Sequence, residues 1–571
     1  MKPPLRLLRV VTAGATVVAA AAGAQSAPVA RTEHCDGKTI STIDIQQSSK
    51  TMVDKNMPAF SRVVLQFLLL GTPTKAYAVR PYLQLHEGGK CTEERRAESE
   101  RLLRQLPYIA DATVQLFDEP DGAVRAVVET VDDIRPIIGL GIRGSRPNDV
   151  ELGNSSINGS GQLAAVRWRD GRAFRDGWGF RYSDFHLFGG QNVGQLSLER
   201  EPLGTYAQAA IARPFFSDLQ HIGGYAGFTR DEGYLSYVRP EGNPLSVKTL
   251  RERSDAGLAF RINTFGTVSW MIGVLGSFEH RNTGNTAVVI TDSTIKDTVA
   301  APLQKRYADL RTTRVGGVLG IRVLQFMKVT AFDGLEGAQD VARGAQLAAT
   351  YGRGVTTDDK RPFVTADFYA GVGTAASFLG LRVVGEATKD ASGWGNNVAS
   401  GRLAWYIHAS ERWTQLFSVE YAGSTSDSVP YQLTMADAQS GLRGYTGSRL
   451  SGGRRVIGRV ERRVILPGAG TYLGWGFAAF GDVGQMWAAK VPFGENGTRG
   501  SLGLSLLAAV PRESRSVARV DVAYPLVKDL HAKGVEVRVS YRSFGRAFWR
   551  EPTQIARARL GSPTTDIFTW P

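Results

Sequence analysis

Cysteine is scarce, with 2 in 571 residues, so the fold is not built on disulfides. No C-x-x-C pair is present to suggest a zinc ribbon or a redox motif. Histidine is scarce as well, 7 in all. The histidines are isolated apart from His34 beside Cys35, and none repeats at the i, i+4 spacing of a helical metal site. There is no G-x-S-x-G elbow. Gly139-Leu140-Gly141-Ile142-Arg143-Gly144 matches G-x-G-x-x-G by letter. A turn, Ser145-Arg146-Pro147-Asn148-Asp149, follows it where a nucleotide site needs a helix N-terminus, so these glycines read as strand residues. After the first 24 residues no apolar run approaches the ~18 residues of a spanning helix. A helical membrane protein is thereby excluded. Two classes remain, a soluble multidomain protein and a transmembrane β-barrel, whose strand signal is far weaker than that of a membrane helix.

What is abundant is glycine, 65 residues, against a usual share of about 7%, with no collagen period to explain it. The formal charge is +14. Arginines fall singly within strand-like runs, as at Arg519, Arg538 and Arg542. No basic block with interleaved aromatics occurs. This pattern fits a wet interior or a solvated face, and no nucleic-acid partner is expected. Residues 1–24 read as a signal peptide: Lys2, Arg6 and Arg9 precede an apolar Val10–Ala22, and Ala22-Gly23-Ala24 is a small-residue cleavage site. Export exposes Cys35 and Cys91 to an oxidising space. They are either a pair or two unrelated thiols, and the sequence leaves both open.

After a segment at 25–37, residues 38–132 read as a small α+β domain. Thr39–Ile45 is a strand, Ala59–Leu70 a short apolar helix, and Thr92–Leu106 a surface helix. Thr92 caps the surface helix and Leu102, Leu103 and Leu106 form its apolar face. Ala112–Phe117 and Ala123–Thr130 form a hairpin around Asp118-Glu119-Pro120-Asp121-Gly122. From residue 133 to 549 the helical period disappears and two-residue alternation takes over. Val535, Val537, Val539 and Tyr541 alternate with Glu536, Arg538, Ser540 and Arg542, and Val268, Trp270, Ile272 and Val274 behave likewise. Runs of nine to twelve residues exceed globular strands and suit a tilted membrane barrel. At roughly 26 residues per strand and connection, about sixteen strands are expected. Residues 550–571 read as a loop-like tail. The expectation is a mainly β protein, a barrel of about 16 strands preceded by a small domain, with no enzymatic activity, no metal and no cofactor.

Leu442-Arg443-Gly444-Tyr445 lies in a long loop. Gly452-Gly453 and a strand bearing Arg459, Glu461 and Arg463 on one face come next. Phe480-Gly481-Asp482-Val483-Gly484 lies in a later strand, and alternation turns Phe480, Asp482 and Gly484 inward. If the loop folds into the barrel, Arg443 and Asp482 form a desolvated bidentate pair. If it does not, Arg443 is a mobile surface arginine.

These residues resemble the V/L-R-G-F/Y loop motif and later strands of the BamA-type outer-membrane assembly superfamily, which includes BamA, TamA, the two-partner-secretion transporters and the organelle translocases. Arg519-x-Asp521 with Tyr524-Pro525, and Ser543-Phe544-Gly545-Arg546-Ala547-Phe548, resemble its last two strands. Leu83-x-Leu85, Gly88-Gly89, Arg101-x-Leu103, Tyr108 and Val127-x-Glu129 resemble a POTRA module. The resemblance implies a sixteen-stranded barrel in the bacterial outer membrane with the POTRA domain in the periplasm. It implies insertion or translocation of unfolded outer-membrane or secreted proteins, with outer-membrane lipids and periplasmic or inner-membrane proteins as partners. It gives Arg443 a lumen-facing acid, Asp482 first and Glu461 second. It places a seam between the first strand, with Ile137, Gly139 and Gly141, and the last, with Val535, Val537, Val539, Tyr541, Phe544 and Phe548. The alternative function is a gated or passive channel without a protein substrate. This chain departs from the pattern in carrying one POTRA-like module and in continuing for 22 or so residues past the closing aromatic.

Overall fold

The computed structural model describes residues 31–32, 35, 37–47 and 72–568, except 144–145, 266–267, 358, 392, 426–428, 438–439, 467–472, 529–531, 533, 544–547, 550 and 560–566. The expected signal peptide and the expected helix at 59–70 lie outside the described residues. The small domain has four strands, β1 (Arg31–Thr32), β2 (Ile40–Gln47), β3 (Ile109–Asp118) and β4 (Val124–Asp132), in the order β1-β3-β4-β2. Strand β2 runs parallel to β4 and the other pairs are antiparallel. Two short helical turns, α1 (Ala76–Val79) and a 3-10 turn at Arg80–Tyr82, precede the main helix α2 (Glu93–Arg104). The Thr92 side chain accepts from the Arg95 N–H, and Glu93 and Glu94 occupy the first turn, as a helix N-terminus favours. Leu102 and Leu103 pack on the alternate residues Val114, Leu116, Val124, Ala126 and Val128 of the sheet. Cys35 and Cys91 are bonded across 56 residues. Closing a loop of that length restricts the unfolded chain by about 4 kcal/mol in the chain-entropy view.

From Pro136 onward each strand pairs antiparallel with the next, and the ring closes between Pro136–Arg143 and Glu536–Ser543. Among the described residues twenty strands form the wall, and Ile295–Thr298 adds a side ladder on Val268–Ile290. The expected sixteen is therefore too few. The count assumed uniform spacing, but the first six strands, from Pro136 to Arg213, hold only 8–11 residues each and are closely spaced. Elsewhere the wall is tall: Leu245–Phe265, Val268–Ile290 and Leu310–Val329 run 20–23 residues, about twice what crosses a bilayer.

Alternation decides which face each side chain takes. Trp270, Ile272 and Val274 are exposed outside, while Met271, Leu275, Ser277 and Glu279 are buried inside. An apolar exterior over a polar interior is the arrangement of a wall with hydrocarbon outside. Among the described residues no helix is long and apolar enough to cross a membrane.

The small domain sits across one mouth of the barrel. Tyr82 Oη donates to Phe185 O, and Gln191 Nε2 donates to Pro81 O at 3.0 Å. Arg104 forks onto Asp340 at 2.8 and 2.6 Å, and Arg101 lies 4.0 Å over the Phe326 ring. Arg515, in a turn of the same mouth, donates to the carbonyls of Leu106 and Ile109 at 3.3 and 3.2 Å. Phe185 and Val193 of the barrel complete the core of the domain.

The last strand is described over Glu536–Ser543. Val535 precedes it, Phe544 lies outside the described residues, and Phe548 belongs to the segment that follows. That segment is not simply a loop: it contains a helix, α3 (Thr553–Ala558), and turns back into the barrel interior.

Candidate functional site

The site is built on four adjacent strands. Arg454–Leu466 pairs with Gly474–Trp487 so that Glu461 faces Phe480 and Arg459 faces Asp482. Gly474–Trp487 pairs with Gly497–Ala509, and that strand pairs with Ser516–Pro525. Period-two alternation puts Glu461, Phe480 and Asp482 on the inner face, where all three are buried.

The loop between Ser424 and Arg454 enters the lumen. A two-residue ladder joins Leu433–Thr434 to Ser451–Gly452. Leu442 N–H then donates to Met435 O at 3.0 Å, and Arg459 of the wall donates to Gly441 O at 2.9 Å. Leu433, Met435, Leu442, Tyr445 and Leu450 pack together with Ile457 and Met486 of the wall. Gly484 makes the seat for Leu442, since a Cβ there would fall 2.3 Å from Leu442 Cδ1. Gly444 has φ +82° and lies close over the wall at Ala523 and Ser501, a conformation that glycine adopts without strain.

These constraints deliver Arg443 to its partners. Its Nε and Nη2 bond the two Asp482 oxygens at 2.7 and 2.5 Å, and its Nη1 bonds Glu461 at 2.6 Å. The guanidinium lies 3.5 Å over the Phe480 ring, a cation–π contact. Burial disfavours the charge on Arg443, but Asp482 and Glu461 outweigh burial, so the pKa is raised and the group stays protonated. Glu461 also accepts from Arg463 at 2.6 Å and from Arg519 at 2.9 and 2.7 Å. One carboxylate therefore gathers three guanidiniums from the loop and from two strands.

Tyr445 extends the anchor toward the end of the ring. Its hydroxyl lies 2.8 Å from both Gly500 O and Val527 O. Thr446 N–H and Oγ1 bond Glu536 of the last strand at 2.9 and 2.8 Å. The sequence reading named Leu442, Arg443, Gly444, Tyr445, Glu461, Phe480, Asp482 and Gly484, and the structure brings all of them together. It missed the Glu536–Thr446 tie and the sharing of Glu461 by Arg463 and Arg519. Arg519 and Arg463 sit at the same alternating phase as the inward residues, which is the one local signal available.

The seam residues lie on the two closing strands. On the first, Gly139 and Gly141 stand opposite Glu151 and Asp149, and Ile137 opposite Gly153. On the last, Val537, Val539 and Tyr541 stand opposite Val522, Val520 and Ala518 and are exposed outside, as are Ile138 and Leu140. Among the described residues no three His, Cys, Asp or Glu side chains are grouped to hold a metal ion.

The chain is similar to CdiB and BamA. CdiB from Escherichia coli is 11% identical over 92% of each chain, with a TM-score of 0.42. CdiB from Acinetobacter baumannii is 12% identical over 88% of this chain and 74% of that one, with a TM-score of 0.40. BamA from Haemophilus ducreyi lacking POTRA domains 1–3 is 10% identical over 88% and 85%, with a TM-score of 0.39. No family model and no curated protein sequence matches the chain.

Proposed function

We propose that this protein is an outer-membrane barrel that inserts or translocates other proteins, without a chemical reaction and without a cofactor. The observation that carries the reading is the buried Arg443–Asp482–Glu461 cluster. It fixes an in-folded loop against the inner wall at the residues that resemble the superfamily motif. Through Tyr445 and Thr446 the loop also ties to Val527, just past the penultimate strand, and to Glu536 of the last strand. The seam itself joins two strands of only 8 residues each. A wall stiffened up to its last strand, beside a low seam, concentrates any opening at that seam. An opened edge presents unpaired N–H and C=O groups, on which an unfolded client strand pairs by β-augmentation. The small domain is the receiving module, on the periplasmic side, and outer-membrane lipid surrounds the apolar exterior.

The test is depletion of the protein in its native cell, followed by quantitative proteomics of outer membrane and medium. Broad loss of barrel proteins identifies a general insertase, and loss of one or a few exported proteins identifies a dedicated translocator. An unchanged proteome overturns the proposal in favour of a channel.

A further inference from the structure

Residues 548–549, 551–559 and 567–568 lie against the inner wall, and the wall is built to hold them. Phe548 O accepts from Arg402 Nη1 at 3.1 Å, and Trp549 O accepts from Arg382 Nη1 at 2.9 Å. Further on, the carbonyls of Arg557 and Arg559 both accept from Arg251, the second at 2.5 Å. Three wall arginines thus bind four main-chain carbonyls, a mode that is indifferent to side-chain identity. Two of these arginines are set by the wall itself. Arg382 is forked on Asp367 at 3.2 and 2.9 Å, and Arg251 is held by Glu279 at 2.9 Å. Donors positioned in advance lower the ordering cost of binding.

Side chains add selectivity. Arg559 bonds Glu551 within the segment at 2.6 Å and donates to Val384 O and Val398 O of the wall at 2.9 and 3.2 Å. Ile555 and Ala558 of α3 pack into the same apolar cluster as the Arg443 loop. Two aromatic rings occupy sockets made by missing side chains. A Cβ on Gly380 would come within 2.7 Å of the Phe548 ring, and one on Gly320 within 2.6 Å of the Phe568 ring. Ile567 and Phe568 are fully buried, and Ile567 O accepts from Phe215 N–H at 2.9 Å. Arg559 alone touches Arg251 and, through its own side chain, Val384 and Val398, which belong to strands far apart around the ring, so the segment at α3 spans the lumen rather than lining one strand.

We propose that the inner wall carries a polypeptide-binding track, occupied at rest by residues 548–549, 551–559 and 567–568 of the same chain as an exchangeable ligand. The track takes an aromatic-bearing segment through its main-chain carbonyls, an Arg–Glu pair and two ring sockets. The test uses the chain truncated after Trp549. It is refolded in detergent with graded amounts of a fluorescently labelled peptide of residues 550–571. Heat-modifiable migration on gels reports the folded barrel, and anisotropy reports binding.

The folded truncated chain is expected to bind the peptide saturably, and the full chain, whose own tethered segment competes, at least tenfold more weakly. Peptides carrying Arg559→Ala or Phe568→Ala are expected to bind at least tenfold more weakly. A folded truncated chain that ignores the peptide, or that takes both altered peptides as well as the original, overturns the proposal. If the truncated chain does not fold, the full chain is digested with carboxypeptidase and weighed by mass spectrometry. Trimming is expected to stop near Phe568 in the wild type and to run toward Trp549 in the Arg559→Ala/Phe568→Ala variant. Equal trimming of the two overturns the proposal.

Discussion

Arg443 satisfies both oxygens of Asp482 and one of Glu461. Truncating it leaves the Asp482 charge buried without that partner, a situation that costs about 3–5 kcal/mol. Arg443→Ala should therefore lower the unfolding free energy of the barrel by that amount, read as a lower urea midpoint for loss of heat-modifiable migration. Arg443→Lys should recover less than half of the loss, because an ammonium cannot supply the two-pronged geometry. An Arg443→Asp/Asp482→Arg exchange should restore only a part, since the new carboxylate would face Glu461. A wild-type midpoint for Arg443→Ala would show that Arg443 does not lock the loop to the wall. Gly484→Ala is a sharper probe, because its methyl group would collide with Leu442. It should cost about 1–3 kcal/mol by overpacking and should release the loop to protease while the wall stays folded. This part of the molecule was legible in the sequence. The inward phase of Phe480, Asp482 and Gly484 follows from period-two alternation, and the loop motif names its own arginine. The tie from Thr446 to Glu536 was not legible, because it joins residues 90 apart through no repeating pattern.

Among the elements, the hinge between β4 and the first barrel strand carries the most informative charge. Asp133 is buried there, and burial pushes its carboxyl up to about 6, against the hydrogen bond from Ser514 and the nearby charge of Arg515. Between about pH 4 and pH 6 the folded chain holds this proton while the unfolded chain has lost it. Stability contributed by the neutral carboxyl is thus fully present below about pH 3.8 and is lost as pH rises through about 6. The difference is at most about 3 kcal/mol. The thermal midpoint of the wild type relative to Asp133→Asn should drop between pH 4 and pH 6.5. Parallel midpoints for the two proteins would show that the hinge carboxyl does not titrate there. The helix cap at Thr92, the Asp118–Val124 turn and the apolar face of α2 could be read from sequence because each is a local pattern. The docking of α2 could not. Arg101 and Arg104 look like ordinary last-turn basic residues, and their targets Phe326 and Asp340 lie more than 200 residues away. The strand count was misjudged for a related reason: alternation reveals strands but does not fix the length of the connections between them.

At the scale of the whole molecule, circumference and filling have to be considered together. Barrels of sixteen to eighteen strands leave an aqueous channel, whereas twenty-two-stranded barrels hold a plug in the lumen. A ring of twenty strands is wide enough to conduct unless it is filled, and this one is filled from three directions. The small domain covers one mouth through Arg101, Arg104 and Arg515. The Arg443 loop enters from the opposite end, and the segment after the last strand crosses between them. The latter two share one apolar cluster, in which Met435, Leu442 and Tyr445 of the loop join Ile555 and Ala558 of α3. Loosening one should therefore loosen the other. In planar bilayers the wild-type protein should show small, flickering conductance, and Arg443→Ala should lengthen the open events several-fold without producing steady full-bore steps. Large steady steps from the wild type would mean that the lumen is open in the membrane. The Arg443 cluster would then be an ornament of a passive pore rather than a brace for a wall that opens at its seam.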